Sequence, residues 1–234
     1  MQRPTEIPRD GRPIGRAALL ATLATGIAGI AVAPKLSSLL SDAVPTVPGG
    51  LGDILPGVGG GWRVYSVQSP LPVFEPKTFE LSVTGLVERP MRLRWREVAG
   101  LEGDRQISDF HCVTGWSVSK VHWEGIRPQT IIDLVRPKPA ATYVSLQSLE
   151  APYVDQITMQ QFTAPDVMLA RHMDGKPLTR SHGSPLRLVL PSMYGYKGVK
   201  WVRELRFGNV LEPGFWEQRG YDIDAYIGKS NGFG

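Results

Sequence analysis

The chain has 234 residues, 42% apolar and 21% charged, with 26 glycines and 20 prolines. That balance suits one mid-sized globular domain with appendages and argues against a helical bundle. The formal charge of +4 is concentrated in the first 40 residues, where Arg3, Arg9, Arg12, Arg16 and Lys35 face only Glu6 and Asp10; the near-neutral remainder lacks the electrostatic footprint of a nucleic-acid-binding domain.

Residues 1–40 read as a targeting segment. Ala17 to Ala33 carries no charge, follows Arg12 and Arg16, and precedes Pro34-Lys35. As a helix it would span about 25 Å at ~1.5 Å per residue, slightly short of a hydrocarbon core of about 30 Å. One reading is an uncleaved anchor at the cell membrane with the domain on the extracytoplasmic side. The other is an export signal cleaved after Ala31-Val32-Ala33, a cleavage that Pro34 would hinder. The segment has no adjacent arginine pair, so a twin-arginine signal would have to be degenerate. Residues 41–61 (SDAVPTVPGGLGDILPGVGGG) form a proline- and glycine-rich linker.

From Trp62 onward strand and turn signals dominate. Lys77 to Thr84 alternates polar and apolar residues before Gly85, as a half-buried strand does. Thr142–Leu146 and Leu186–Pro191 read as further strands, whereas Gln129–Val135, Met159–Phe162 and Pro165–Met173 read as helices. For the last of these, Pro165 suits a first turn and Gly175 a position beyond the end. Strands and helices mix without a regular βαβ alternation, which gives a β-rich α+β class. No GxGxxG or phosphate loop is present, so a nicotinamide or nucleotide cofactor is not expected.

Chemistry concentrates in two segments. Cys112 is the only cysteine, in Phe110-His111-Cys112-Val113-Thr114-Gly115-Trp116-Ser117. Alone it can pack as a small apolar residue, attack an electrophile with His111, His122, His172 or His182 as base, or give one thiolate to a metal held mostly by other ligands. The second segment is His182-Gly183-Ser184-Pro185-Leu186-Arg187, continuing to Tyr194-Gly195-Tyr196-Lys197-Gly198-Val199-Lys200-Trp201. Taken alone, an arginine beside a proline is most simply a surface salt bridge.

Together these segments resemble the molybdopterin-binding domain of the sulfite oxidase superfamily, and HCVTGWS resembles the cysteine loop of the periplasmic methionine sulfoxide reductase catalytic subunits. The likeness runs from about Trp62 to Gly228. It implies a molybdenum–molybdopterin oxidoreductase in residues 62–234, acting by oxygen-atom transfer, with Cys112 as the metal's protein ligand. It also implies that His182 and Arg187 bind the pterin, that Gly198, Val199 and Lys200 hold its phosphate, and that Ser148, Tyr65 and Gln68 lie on further cofactor loops. Tyr221 corresponds to the superfamily's active-site tyrosine, placed to hydrogen-bond the oxygen being transferred.

Where sulfite oxidases carry substrate-holding arginines, this chain has Ser66 and Ser117; Arg219 is a candidate replacement cation and Trp116 an apolar entrance. A neutral sulfoxide is therefore expected in preference to a sulfite dianion, whose transfer from water needs paired cations. No stretch corresponds to the superfamily's dimerisation domain, which points to a monomeric catalytic domain. With no haem motif in the chain, electrons would come from a separate partner, a haem-containing membrane subunit or a cytochrome. A sulfite dehydrogenase-like enzyme and a non-catalytic, membrane-tethered binding domain that keeps the fold stand as alternatives.

Overall fold

The computed structural model describes residues 61–229, so the expected N-terminal helix and nearly all of the linker lie outside the described residues. Among the described residues no helix is long and apolar enough to cross a membrane. The described part is sheet-rich, with two five-stranded sheets and three short helices.

The first sheet has the order β2-β1-β10-β5-β6, built from β1 (Glu80–Gly85), β2 (Met91–Arg94), β5 (Tyr143–Ser148), β6 (Val154–Thr158) and β10 (Val202–Gly208). All pairs are antiparallel except β1 with β10, which run parallel with Val83 opposite Leu205. Alternation places Leu81 and Val83 of β1 in the core, as it does Leu205 and Phe207 of β10. The main core adds Val144 and Leu146 of β5, Val98 of α1 (Trp95–Gly100), Ile131 and Val135 of α2 (Pro128–Val135), and Phe162 of α3 (Met159–Phe162). Helix α2 buries Pro128, Ile131 and Val135, the three- and four-residue spacing of one helical face. Helix α3 opens with a capping box in which the Gln161 amide donates to Thr158 Oγ1 and the Thr158 amide to Gln161 Oε1.

The second sheet has the order β3-β4-β7-β8, with β9 (Arg187–Val189) also paired to β7 (Met168–Met173). Its long hairpin is β3 (Asp104–His111) against β4 (Ser117–Ile126), and β8 is Lys176–Pro177. A smaller core of Val121, Trp123, Met168, Ala170, Leu178 and Val189 lies here, with Trp62 packed on it. β4 and β7 approach so closely at their register shift that a Cβ on Gly125 would fall 2.2 Å from the Leu169 carbonyl oxygen.

One sequence expectation is corrected. The expected helix over Pro165–Met173 is strand β7, paired on one edge with β4 and on the other with β8 and β9. Met168, Leu169 and Ala170 are all fully buried, and a short apolar run buried on both faces has the same pattern in either conformation. Asp174-Gly175 is the loop of the β7–β8 hairpin, with φ of 51° and 74° at its two residues, the conformation that favours Asp-Gly between antiparallel strands. The expected strands near 80, 143 and 187 are present, as are the helices expected at 129–135, which begins at Pro128, and at 159–162.

Candidate active site

A cavity of about 320 Å³ lies where the tip of the β3–β4 hairpin, the segment 62–67, the loops around β9 and the turn at 216–221 converge. It brings together Tyr65, Cys112, His182, Arg187, Gly198, Lys200 and Tyr221 from well-separated parts of the chain.

Cys112 sits in the hairpin loop. The loop closes through the Cys112 amide on the Trp116 carbonyl at 2.8 Å and the Gly115 amide on the Cys112 carbonyl at 3.0 Å. Gly115 has φ of 89°, which lets the chain reverse without a Cβ penalty. A register shift between Ser108 and Phe110 bends the strand just before the thiol. The thiol is partly exposed. Its hydrogen-bond partner among the described residues is Thr114 Oγ1 at 3.2 Å, not an imidazole, so the arrangement gives no support to a histidine-activated nucleophile. Among the described residues no three His, Cys, Asp or Glu side chains gather as a metal site; a metal at Cys112 would draw its remaining ligands from a cofactor.

The lining also carries buried cations, with Glu150 its one carboxylate. Arg187, only 3% exposed, begins β9. Its guanidinium lies between the rings of Trp123, Phe110 and Trp62 at 5.2, 5.5 and 5.7 Å. Among the described residues its hydrogen bond is a long one, 3.4 Å to the His182 carbonyl, and its Nε has no partner there. Burial pushes Arg187 down to about 10. Burial, then the charges of Arg187 and Lys200, pushes His182 down to about 4. Burial and Arg187 push Lys200 down to about 8 against the opposing pull of Glu150. Lys200 Nζ donates to the Tyr65 carbonyl at 2.6 Å. Such a cluster is the protein half of an anion site.

The backbone makes room for it. Gly183 has φ of 99°, and a Cβ there would lie 2.8 Å from Lys200 Cβ. Gly195 lies flat on Phe110, so that a Cβ would come 2.2 Å from its ring.

Three expected contacts lie outside the lining. Val199 is fully buried in the main core, and its amide is already bonded to the Lys197 carbonyl at 3.0 Å, while its neighbours Gly198 and Lys200 line the cavity. Ser148 sits behind Lys200, its Oγ donating to the Lys200 carbonyl and accepting the Glu150 amide, each at 2.8 Å. Gln68 contributes its amide to Glu150 Oε1 at 3.1 Å, while its side chain turns to the Pro70 carbonyl. Glu150 also accepts from Ser66 Oγ and the Val67 amide, so this buried carboxylate pins the segment 62–67 over the cavity. The sequence hinted at it only as an acidic residue two positions after Ser148. Arg219 lies outside the lining too: its Nη1 bonds the Phe215 carbonyl at 2.6 Å and its guanidinium stacks over the Phe215 ring. Ser66 lines the cavity and Ser117 does not. A cation the sequence reading passed over, Arg63, also lines it, as do Tyr153, Tyr196 and Trp216.

Residues 68–216 match the family described as the oxidoreductase molybdopterin binding domain. The chain belongs to this family. The oxidoreductase YuiH of Bacillus subtilis strain 168, itself uncharacterized, is 38% identical over 154 residues, covering 65% of this chain and 77% of the relative. The protein-methionine-sulfoxide reductase catalytic subunit MsrP of Gluconobacter oxydans is 30% identical over 175 residues, 68% of this chain and 56% of the relative. Sulfite oxidase of Arabidopsis thaliana is 28% identical over 189 residues, 66% of this chain and 48% of the relative. The chain thus spans about half the length of the sulfoxide reductase and sulfite oxidase relatives. The solved sulfane dehydrogenase SoxCD of Paracoccus pantotrophus shares the fold, with a TM-score of 0.58 at 21% identity over 65% of this chain and 43% of that one.

The molybdopterin-binding domain is an oxidoreductase domain, and its cavity suits a molybdenum–molybdopterin. The buried Arg187 Nε, without a partner among the described residues, and the neighbouring charges of Arg187 and Lys200, beside an imidazole held neutral, suit an anionic, hydrogen-bonding ligand such as a pterin phosphate. The lone thiol suits a metal whose other sulfur ligands come with the cofactor.

Proposed function

We propose that this domain reduces a small neutral sulfoxide by oxygen-atom transfer, with electrons delivered by a separate haem-containing partner. The observation that carries the reading is the lining of the cavity. The residues that follow the thiol in its loop, Val113, Thr114 and Trp116, are uncharged, as are Tyr65, Trp216 and Tyr221, while Arg187 and Lys200 supply charge that an anionic cofactor would take up. Sulfoxide reduction consumes two electrons and two protons and yields the thioether and water, so no charge remains on the organic product.

Bound in this cavity, the molybdenum cofactor would supply the two-electron, oxygen-transferring centre. The chain's own residues do the rest. Cys112 is the candidate metal ligand. His182, Arg187 and Lys200 bind the cofactor's anionic end, and Gly198 lets the backbone approach it. Tyr221 packs against Tyr196 and Trp216 with centroids 5.1 Å apart in each case, which holds its ring at the cavity wall. From there the phenol orients the substrate oxygen and can share a proton with it. The rings of Tyr65 and Trp116, stacked at 6.4 Å, limit water around the sulfur. The uncharged run at 17–33 behind Arg12 and Arg16 supports tethering at the cell membrane, near a membrane-bound electron donor.

Sulfoxide turnover by molybdenum-loaded protein, driven by a reduced dye, tests this reading. Cys112→Ser is expected to lower turnover by at least about 100-fold. Wild-type protein inert toward sulfoxides, or a serine variant of undiminished activity, refutes it. A second reading, oxidation of an anionic sulfur compound, is favoured by Arg63 in the lining. Under that reading Arg63→Ala raises KM for sulfite and leaves sulfoxide turnover unchanged.

A further inference from the structure

Three walls of the cavity meet at one buried charge cluster behind them. Lys197 Nζ donates to Asp155 Oδ1 at 2.6 Å, to Glu217 Oε1 at 2.5 Å and to the Gln156 carbonyl at 2.9 Å. The three charged side chains are 1–2% exposed. Each adjoins residues that line the cavity. Tyr153 lies two positions before Asp155, Tyr196 and Gly198 flank Lys197, and Trp216 precedes Glu217. Tyr221 is bound to the same turn by its amide on the Trp216 carbonyl at 3.1 Å.

The junction is tight. A Cβ on Gly214 would lie 2.5 Å from Glu217 Oε2 and 2.9 Å from Asp155 Oδ1, so the chain entering the turn runs directly over both carboxylates. The Phe215 amide adds a bond to the Val154 carbonyl at 2.8 Å. The cluster is also expensive. Among the described residues no neutral donor reaches Asp155 Oδ2 or Glu217 Oε2, and burial, opposed by Lys197 and reinforced by the charge of Glu217 and a hydrogen bond with it, pushes Asp155 up to about 8. Buried ionic clusters of this kind often contribute no more to stability than apolar side chains of the same volume. What such a cluster does provide is a fixed geometry, because moving any one arm strands a charge.

We propose that Lys197, Asp155 and Glu217 form a positioning cluster for the reaction, locking the wall that carries Trp216 and Tyr221 against the loop that carries Gly198 and Lys200. The inference rests on the reading of Tyr221 as the group that faces the substrate oxygen. Glu217 touches neither cofactor nor substrate and acts through Tyr221.

Glu217→Ala tests it, since this variant leaves Lys197 and Asp155 as a neutral pair. Acrylamide quenching of the Trp216 fluorescence, isolated by difference from Trp216→Phe, is expected to rise about twofold as the wall loosens. With a sulfoxide and a reduced dye, kcat falls about tenfold while KM stays within about twofold. In a Tyr221→Phe background the same substitution costs less than about twofold, because the two residues act as one unit. Glu217→Gln, which keeps the bond from Lys197, restores kcat to within about threefold of wild type. Unchanged quenching overturns the proposal, and so does an equal loss in both backgrounds. If the alanine variant does not fold, Glu217→Asp, too short to reach Lys197, carries the same expectations. Wild-type protein that reduces no sulfoxide would refute the proposed function instead, and the quenching measurement would still judge the cluster.

Discussion

Replacing Arg187 with methionine should change the sign of its effect on stability with the state of the cavity. In the cofactor-free domain the guanidinium is buried without an anion, and its fall from the usual guanidinium range to about 10 corresponds to about 3 kcal/mol against the charged form. The three surrounding rings offset part of that, at about 0.5–1 kcal/mol each. The balance favours removal by about 1 kcal/mol, and methionine can fill the space among Trp62, Phe110 and Trp123. For a domain of this size, that is a rise of about 2–4 °C in Tm. In the loaded protein the same change deletes a charge-assisted contact to the cofactor, at a cost of about 1.5–3 kcal/mol. The assay is scanning calorimetry of both proteins made with and without molybdate. If Arg187→Met destabilises the cofactor-free domain by more than about 2 kcal/mol, the guanidinium has a protein partner and the argument for an anion site fails.

Lys200, held down to about 8 by burial and Arg187, should lose its proton on the cofactor-free domain as pH rises through that value. Anion binding favours the charged form, so cofactor uptake should weaken above pH about 8; Lys200→Met should weaken uptake at neutral pH and abolish that dependence, as followed by pterin fluorescence of the released cofactor. Gly195→Ala should cost about 1–3 kcal/mol in urea unfolding, because the new methyl group meets the Phe110 ring at 2.2 Å. The same substitution should lower molybdenum content by pushing Phe110 toward Arg187.

The parts of the molecule legible in the sequence are those that follow from local rules. The alternation of Leu81 and Val83 marks β1, and the three- and four-residue spacing of Pro128, Ile131 and Val135 marks α2. The likeness around Cys112 and Arg187 marks Tyr65, Cys112, His182, Arg187, Gly198, Lys200 and Tyr221, all of which line the cavity. β7 was misread because Met168, Leu169 and Ala170 are buried on every side, which erases the period on which sequence reading depends. The Asp174-Gly175 turn was the stronger local clue. Gln68, Ser148 and Val199 lie near the cavity in sequence order yet behind it in space, and only the register around β9 and the Glu150 hydrogen bonds reveal that. The charge cluster of Asp155, Lys197 and Glu217 had no sequence signal at all, since its members sit on three elements that only the tertiary fold brings together.

The parallel pairing of β1 with β10 sets the order in which this molecule can be completed. Ser82 lies beside Glu204, and β10 holds the central place in the sheet, so β1, made first, waits for the strand made last to join it to β5 and β6. A nascent chain emerging from the ribosome can form the β3–β4 hairpin early, because its two strands are adjacent in sequence. It cannot close the first sheet, or supply Lys200 and Tyr221 to the cavity, until β10 and the turn at 216–221 have emerged. A complete cavity is thus offered to a cofactor only after that turn is made, long after the thiol loop has formed.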